Sequence, residues 1–247
     1  MDTMKTTLAL LLPVLLLTGC KHEEPQGVST TVRNMSTLFL FEPIPGKLKS
    51  THQTLSGASG EKEHEVTARF DQQGCLTDVD VTSLYLINDR KIHSNTSLRR
   101  DKDTLVGEEN GKPVLMKLDD KCNVVSKTRG DSTLDIRYND RGLISAFSST
   151  PDPLRIDITY DEQGRMVRRN MREGARLISD DKQTFAQAQA DKLLDGVLIT
   201  TYPASTREIT TRCAYQQGVP TSCRYTIKTT PGDTIIERRS TLVSEFY

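Results

Sequence analysis

The sequence predicts a mainly β fold: an antiparallel hairpin meander or curved half-barrel with one short helix, with a β-sandwich as the alternative. Three observations predict it. Apolar and polar residues alternate with strand period, as in Leu134-x-Ile136-x-Tyr138 and Ile156-x-Ile158-x-Tyr160. A short polar turn recurs between such segments. The folded part carries an even number of cysteines in a chain that reads as exported. Alternation gives a sheet one buried and one solvated face, as antiparallel sheets allow. A domain of this length buries about 70% of its unfolded surface and needs no partner to fold.

The chain opens with Lys5, an apolar run from Leu8 to Leu17, and then Thr18-Gly19-Cys20. The run is too short to span a bilayer, which takes ~20 apolar residues. It has the length of a signal-peptide core, followed by small residues. Leu17-Thr18-Gly19-Cys20 resembles the lipobox of bacterial lipoproteins. That resemblance implies a signal peptide over 1–19 and diacylglycerol on the Cys20 thiol. It further implies an added acyl chain such as palmitate, a combination that anchors stably where one chain does not. Lys21 in place of Asp after the lipidated residue implies, by the same resemblance, export to the outer membrane, facing the periplasm. Asp2 sits oddly in the positive leader, and Met4-Lys5 would make a cleaner start. Residues 20–33 read as a flexible tether, since Lys21 to Thr31 holds Pro25, Gly27 and one apolar side chain, Val28. His22-Glu23-Glu24 within it reads as solvated linker and not as a metal site.

Residues 34–247 are expected to form the β domain. Its turns read Phe70-Asp71-Gln72-Gln73-Gly74-Cys75, Tyr138-Asn139-Asp140-Arg141-Gly142 and Tyr160-Asp161-Glu162-Gln163-Gly164. Weaker copies occur at Leu118 to Val124 and Tyr215 to Gly218. Asp or Asn opens such a turn through its side chain, and Gly supplies the positive φ that closes it. These turns resemble the tyrosine–aspartate repeats of large bacterial wrapping toxins over about seven residues each, which implies a hairpin and nothing of function. The spacings from Leu118 to Tyr138 and on to Tyr160 fit two strands and two turns per unit. Ser179 to Asp195, with Phe185, Ala188, Ala190 and Leu194 on one stripe, is expected to be the short helix. Val197 to Tyr202 follows as a strand.

Besides Cys20, the cysteines are Cys75, Cys122, Cys213 and Cys223. In an exported chain they point to disulfides, for which three pairings are possible. Cys213 and Cys223 flank the turn Tyr215 to Pro220 and can face one another across two strands, which leaves Cys75 with Cys122. A Cys₄ zinc site is disfavoured because no Cys-x-x-Cys pair is present.

The lipobox, Phe39-Leu40-Phe41-Glu42-Pro43, Gln73-Gly74-Cys75, Tyr138-Asn139-Asp140-Arg141-Gly142 and the Cys213 to Cys223 segment together resemble the YnfC-like family of uncharacterised enterobacterial lipoproteins. The resemblance spans nearly the whole chain. It implies an envelope location and carries no known activity.

Residue chemistry narrows the function classes. With 33 basic and 33 acidic residues the net charge is +0, which gives no field to attract nucleic acid. The basic run Arg165, Arg168, Arg169, Arg172, Arg176 reads as a solvated hairpin face paired with carboxylates. His22, His52, His64 and His93 lie in charge-rich stretches, away from metal spacing, and read as surface residues. Ser56-Gly57-Ala58-Ser59-Gly60 lacks the Lys and helix of a phosphate cradle and reads as a hairpin loop. Gly-x-Ser-x-Gly does not occur. With no Trp and 5% aromatic residues, a stacking platform for sugars is poorly supplied. The expectation is therefore a non-enzymatic envelope lipoprotein without cofactor, a structural or protein-interaction module with an envelope protein partner. A periplasmic binder of lipid or hydrophobic ligands and a carboxylate-based hydrolase are the alternatives.

Overall fold

A computed structural model describes residues 27–87, 90–186, 192–232 and 234–247. The lipobox and Cys20 lie outside the described residues. A helix, α1 (Thr30–Phe39), precedes sixteen strands. These are β1 (Leu48–Ser56), β2 (Lys62–Phe70), β3 (Leu76–Ile87), β4 (Arg90–Asp101), β5 (Thr104–Glu109) and β6 (Lys112–Leu118). They continue as β7 (Val124–Arg129), β8 (Ser132–Tyr138), β9 (Ile144–Thr150), β10 (Leu154–Tyr160) and β11 (Met166–Glu173). The last five are β12 (Arg176–Phe185), β13 (Gly196–Thr201), β14 (Thr206–Gln216), β15 (Val219–Thr230) and β16 (Thr234–Phe246).

Each strand pairs antiparallel with its sequence neighbours, and β1 pairs with β16, so the sheet closes into a barrel. This corrects the expectation of an open meander, half-barrel or sandwich. Closure rests on the register His52↔Val243 and Thr54↔Thr241, between strands at opposite ends of the chain. Local alternation carries no trace of that pairing. The helix expected over Ser179 to Asp195 is corrected as well. Arg176–Phe185 is strand, paired on both sides with β11 and β13, and 187–191 lie outside the described residues. Asp181 and Gln183 there face the interior in strand alternation, which a helical count of apolar residues alone does not register.

The helix stands instead at Thr30–Phe39, taking in the last residues of the segment read as tether. Ser29 caps it, its Oγ accepting from the Val32 N–H at 3.2 Å. No residue from Thr31 to Phe39 is exposed. The helix enters the barrel at the end where the recurring turns lie. There Asn34 Nδ2 donates to Asn123 Oδ1 (3.1 Å) and to the Gly142 carbonyl (2.8 Å), and its Oδ1 accepts from the Ile144 N–H (3.1 Å). At Leu40 the backbone turns left-handed, φ 58°, and Phe41 to Gly46 leads back to β1. The segment is thus a re-entrant plug with Leu40 at its tip.

The recurring turns share one construction. Oδ1 of Asp71, Asp119 and Asn139 each accepts from two downstream N–H groups, at 2.7 to 3.0 Å. Gly74, Gly142 and Gly164 take the positive-φ position, which Cys122 occupies in the copy without Gly. The tyrosine before each turn reaches back to the start of the previous strand, just after the preceding turn: Tyr138 donates to the Val124 carbonyl (2.7 Å) and Tyr160 to that of Ile144 (2.8 Å).

The interior divides along its length. Around the plug, Met35, Phe39, Val66, Leu76, Val79, Leu98, Leu105, Met116, Val124 and Ile144 form a packed apolar core. Toward the far end, inward positions become ionic: Glu109 pairs with Lys127 and Arg129, and Arg169 with Asp181. The outer wall is charged, with pairs Arg69–Asp78, Arg99–Asp80, Arg155–Asp157 and Arg168–Asp180 at separate places around it. A wall facing lipid carries an apolar band, and these ion pairs are unlike such a band.

Candidate functional site at the open end

Two features mark the end opposite the plug, although Val243, Phe246 and Tyr247 also expose apolar surface toward the plugged end. The first is a rim of exposed apolar side chains. The hairpin β3–β4 extends past its neighbours and presents Tyr85 (45% exposed) and Ile92 (44%), which are register partners. On the other side of the shorter β1–β2 hairpin stand Ile235 (65%) and Ile236 at the start of β16. Leu177 and Ile199 add exposed apolar surface near the same end.

The second is a cavity of about 170 Å³ below this rim. Its apolar wall is Leu40, Leu55, Ile209 and Ile227, and its polar groups include Glu42, Tyr225, Arg238 and Ser240. The plug supplies Leu40 and Glu42, and the other residues come from β1, β14, β15 and β16. Glu42 is fixed through its backbone. Its N–H donates to Gln53 Oε1 (2.7 Å), and Gln53 Nε2 donates to its carbonyl (2.9 Å). The Tyr225 hydroxyl donates to Glu42 Oε1 at 2.8 Å and lies 3.2 Å from Ser240 Oγ. Burial pushes the Glu42 carboxyl above the ordinary carboxylate range, against the Tyr225 hydrogen bond that favours ionisation. Burial and the neighbouring carboxyl push the Tyr225 hydroxyl up. Arg238 pairs with Glu63. A second, more open depression of about 420 Å³ lies along β5 to β7, lined by Val106, Pro113, Leu115 and Thr128 among others.

The sequence-predicted residues fall elsewhere. Cys75–Cys122 joins two turns at the plugged end, with Cα atoms 5.5 Å apart, and Cys213–Cys223 spans β14 and β15 at 4.0 Å. In the basic run, Arg165 pairs with Asp161, Arg168 with Asp180 and Arg176 with Glu173, but Arg169 turns inward to Asp181. His52 and His93 are exposed. His64 departs from the surface reading: it lies on the inner wall, its Nε2 2.9 Å from the Leu40 carbonyl and its Nδ1 2.8 Å from Ser83 Oγ. Nε2–H therefore donates to the carbonyl and Nδ1 accepts from the serine, and burial holds the imidazole below its ordinary pKa. Ser83 is 5% exposed, and this pair braces the plug tip through the Leu40 carbonyl. Among the described residues no group of three His, Cys, Asp or Glu is placed to hold a metal. Sequence reasoning missed Glu42, Tyr225 and Arg238. The one local signal was an acidic residue set between Phe41 and Pro43 in an apolar stretch.

These features define a closed up-and-down β-barrel, plugged at one end and open at the other. The architecture is similar to a porin-like protein from Bacteroides uniformis ATCC 8492, known from a crystal structure. The TM-score is 0.58 and the identity 14%, over 80% of this chain and 98% of that one. The chain belongs to an uncharacterised protein family (UPF0257), which matches residues 4–246. Relatives named UPF0257 lipoprotein YnfC occur in Salmonella typhi, 25% identical over 162 residues, and in Salmonella heidelberg (strain SL476), 25% identical over 165 residues. The matches cover 65% and 66% of this chain and 64% and 65% of the relatives, so the chain spans less than two thirds of their length.

Proposed function

We propose that the protein is a non-enzymatic envelope lipoprotein, anchored through lipid on Cys20 and engaging an envelope protein through the open rim of its barrel. The observation that carries this reading is the polarity of the molecule. The plug begins at Thr30 on the packed end, so an anchor at residue 20 holds that end toward the membrane. The opposite rim, with Tyr85, Ile92, Ile235 and Ile236 exposed, then projects away from it. Adjacent exposed apolar side chains, as in the register pair Tyr85 and Ile92 and the neighbours Ile235 and Ile236, are a mark of protein contacts. The lipoprotein names of the relatives support the anchor, and Lys21 supports the outer membrane, with the barrel in the periplasm. The lumen around the plug is filled by side chains. The cavity under the rim is below the ~300 Å³ at which drug-sized ligands fit, so that site does not take a full acyl chain. Photo-crosslinking in cells tests the proposal, with a photoreactive residue at Tyr85, at Ile236 and, on the outer wall, at Lys117. A reproducible protein adduct at the two rim positions and none at Lys117 is the expected result. Adducts absent from the rim, or equal at all three, contradict it.

A further inference from the structure

We propose that the cavity under the open rim is a binding site for a small organic cation, an alkylammonium with a short apolar body, whose charge is met by Glu42. Four observations lead there. Glu42 lies deep in the protein yet keeps accessible surface, and that surface lines the cavity. Its Oε1 is held by the Tyr225 hydroxyl, while among the described residues its Oε2 has no hydrogen bond and the carboxylate no cationic partner. The nearby cation, Arg238, is already paired with Glu63, so once Glu42 ionises, Glu42, Glu63 and Arg238 leave one negative charge uncompensated. The facing wall of Leu40, Leu55, Ile209 and Ile227 offers apolar surface to a hydrocarbon body.

The chemistry separates the ligand classes. An anion would meet the Glu42 carboxyl, and the one guanidinium lining the cavity, Arg238, is already paired with Glu63. An uncharged molecule would fill the apolar part while the Glu42 carboxyl keeps its proton, so it gains nothing from that group's charge. An ammonium satisfies both halves of the cavity. Gln53 grips both backbone polar groups of Glu42, so the carboxylate is positioned before the ligand arrives. The volume, about 170 Å³, is room for roughly six waters of liquid, which suits a body of a few carbons.

This site is independent of the rim contact, and a failed rim crosslink leaves it untouched. The test is calorimetric titration of the full-length protein at mildly alkaline pH with n-pentylammonium, n-pentanol and pentanoate. Binding of the ammonium alone, or well ahead of the alcohol, is expected. Glu42→Gln keeps the shape and removes the charge, and should weaken that binding by about 10- to 100-fold. Ile227→Trp fills the cavity while leaving the carboxylate, and should abolish it; should Glu42→Gln fail to fold by circular dichroism, this variant decides. Absence of ammonium binding to the wild type overturns the proposal. So does equal binding of pentanol, or unchanged affinity in the folded Glu42→Gln or the Ile227→Trp variant.

Discussion

At the scale of single residues, buried polar groups organise the plug. Asn34 is fully buried and spends three hydrogen bonds on two separate turns, which fixes the helix in depth and rotation. His64 holds the Leu40 carbonyl at the tip. Glu42 is the costly member, with its carboxyl raised above the unfolded value near 4.5 by burial. The folded state therefore holds its proton to a higher pH than the unfolded chain does. Stability from this group is fully present below pH 4.5 and is lost as pH rises through the folded pKa. The loss is about 1.4 kcal/mol for every tenfold by which folding tightens the hold on that proton. Tyr225 from β15, and Arg238 with Glu63, are the titratable or charged groups nearby. Glu42→Gln should then equal the wild type in acid and exceed it in stability at neutral pH. Urea unfolding of both proteins across pH 4 to 8 checks this; a Glu42→Gln variant less stable at neutral pH would show that the carboxylate is stabilising. None of these partners is near Glu42 in sequence, which is why the residue read only as part of a family resemblance.

At the scale of elements, strands and turns were legible and the helix was not. The turn Tyr138-Asn139-Asp140-Arg141-Gly142 shows its side-chain acceptor and its positive-φ glycine in the residues themselves. Strand alternation on both sides sets which face is buried. The helix Thr30–Phe39 is short, carries three threonines and follows a polar segment, so its propensity is poor. Enclosure by the barrel stabilises it, and that is tertiary information. The disulfides belong to this scale as well. Cys75–Cys122 closes a loop with a separation of 47 residues and Cys213–Cys223 one of 10. Loop-closure entropy gives about 4 and about 3 kcal/mol respectively. Replacing each pair by serines should cost in that order in chemical denaturation, with the Cys75/Cys122 double variant the less stable. The reverse order would mean that the turns at the plugged end are held by their side-chain hydrogen bonds and by Asn34.

At the scale of the whole molecule, the barrel inverts the arrangement of a membrane-spanning one. Apolar side chains fill the inside around the plug, and ion pairs cover the outside. The same sixteen-strand closure that leaves an aqueous channel in porins here encloses a core. The periodicity of the sequence announced a sheet with one buried face and balanced charge announced a solvated exterior. Neither carries the information that the first strand meets the last, because that contact joins residues nearly two hundred positions apart. Closure is also what turns one end into a packed plug and the other into a rim and cavity, so the proposed contact and ligand site both depend on it. Thr54 and Thr241 face one another across the seam with their hydroxyl oxygens 2.6 Å apart. Replacing both by cysteine and mapping disulfides by mass spectrometry after mild oxidation tests closure most directly. The closed barrel predicts a 54–241 crosslink formed in the folded monomer alongside the two native pairs; an open sheet, with β1 and β16 apart, predicts free thiols or crosslinks only between molecules.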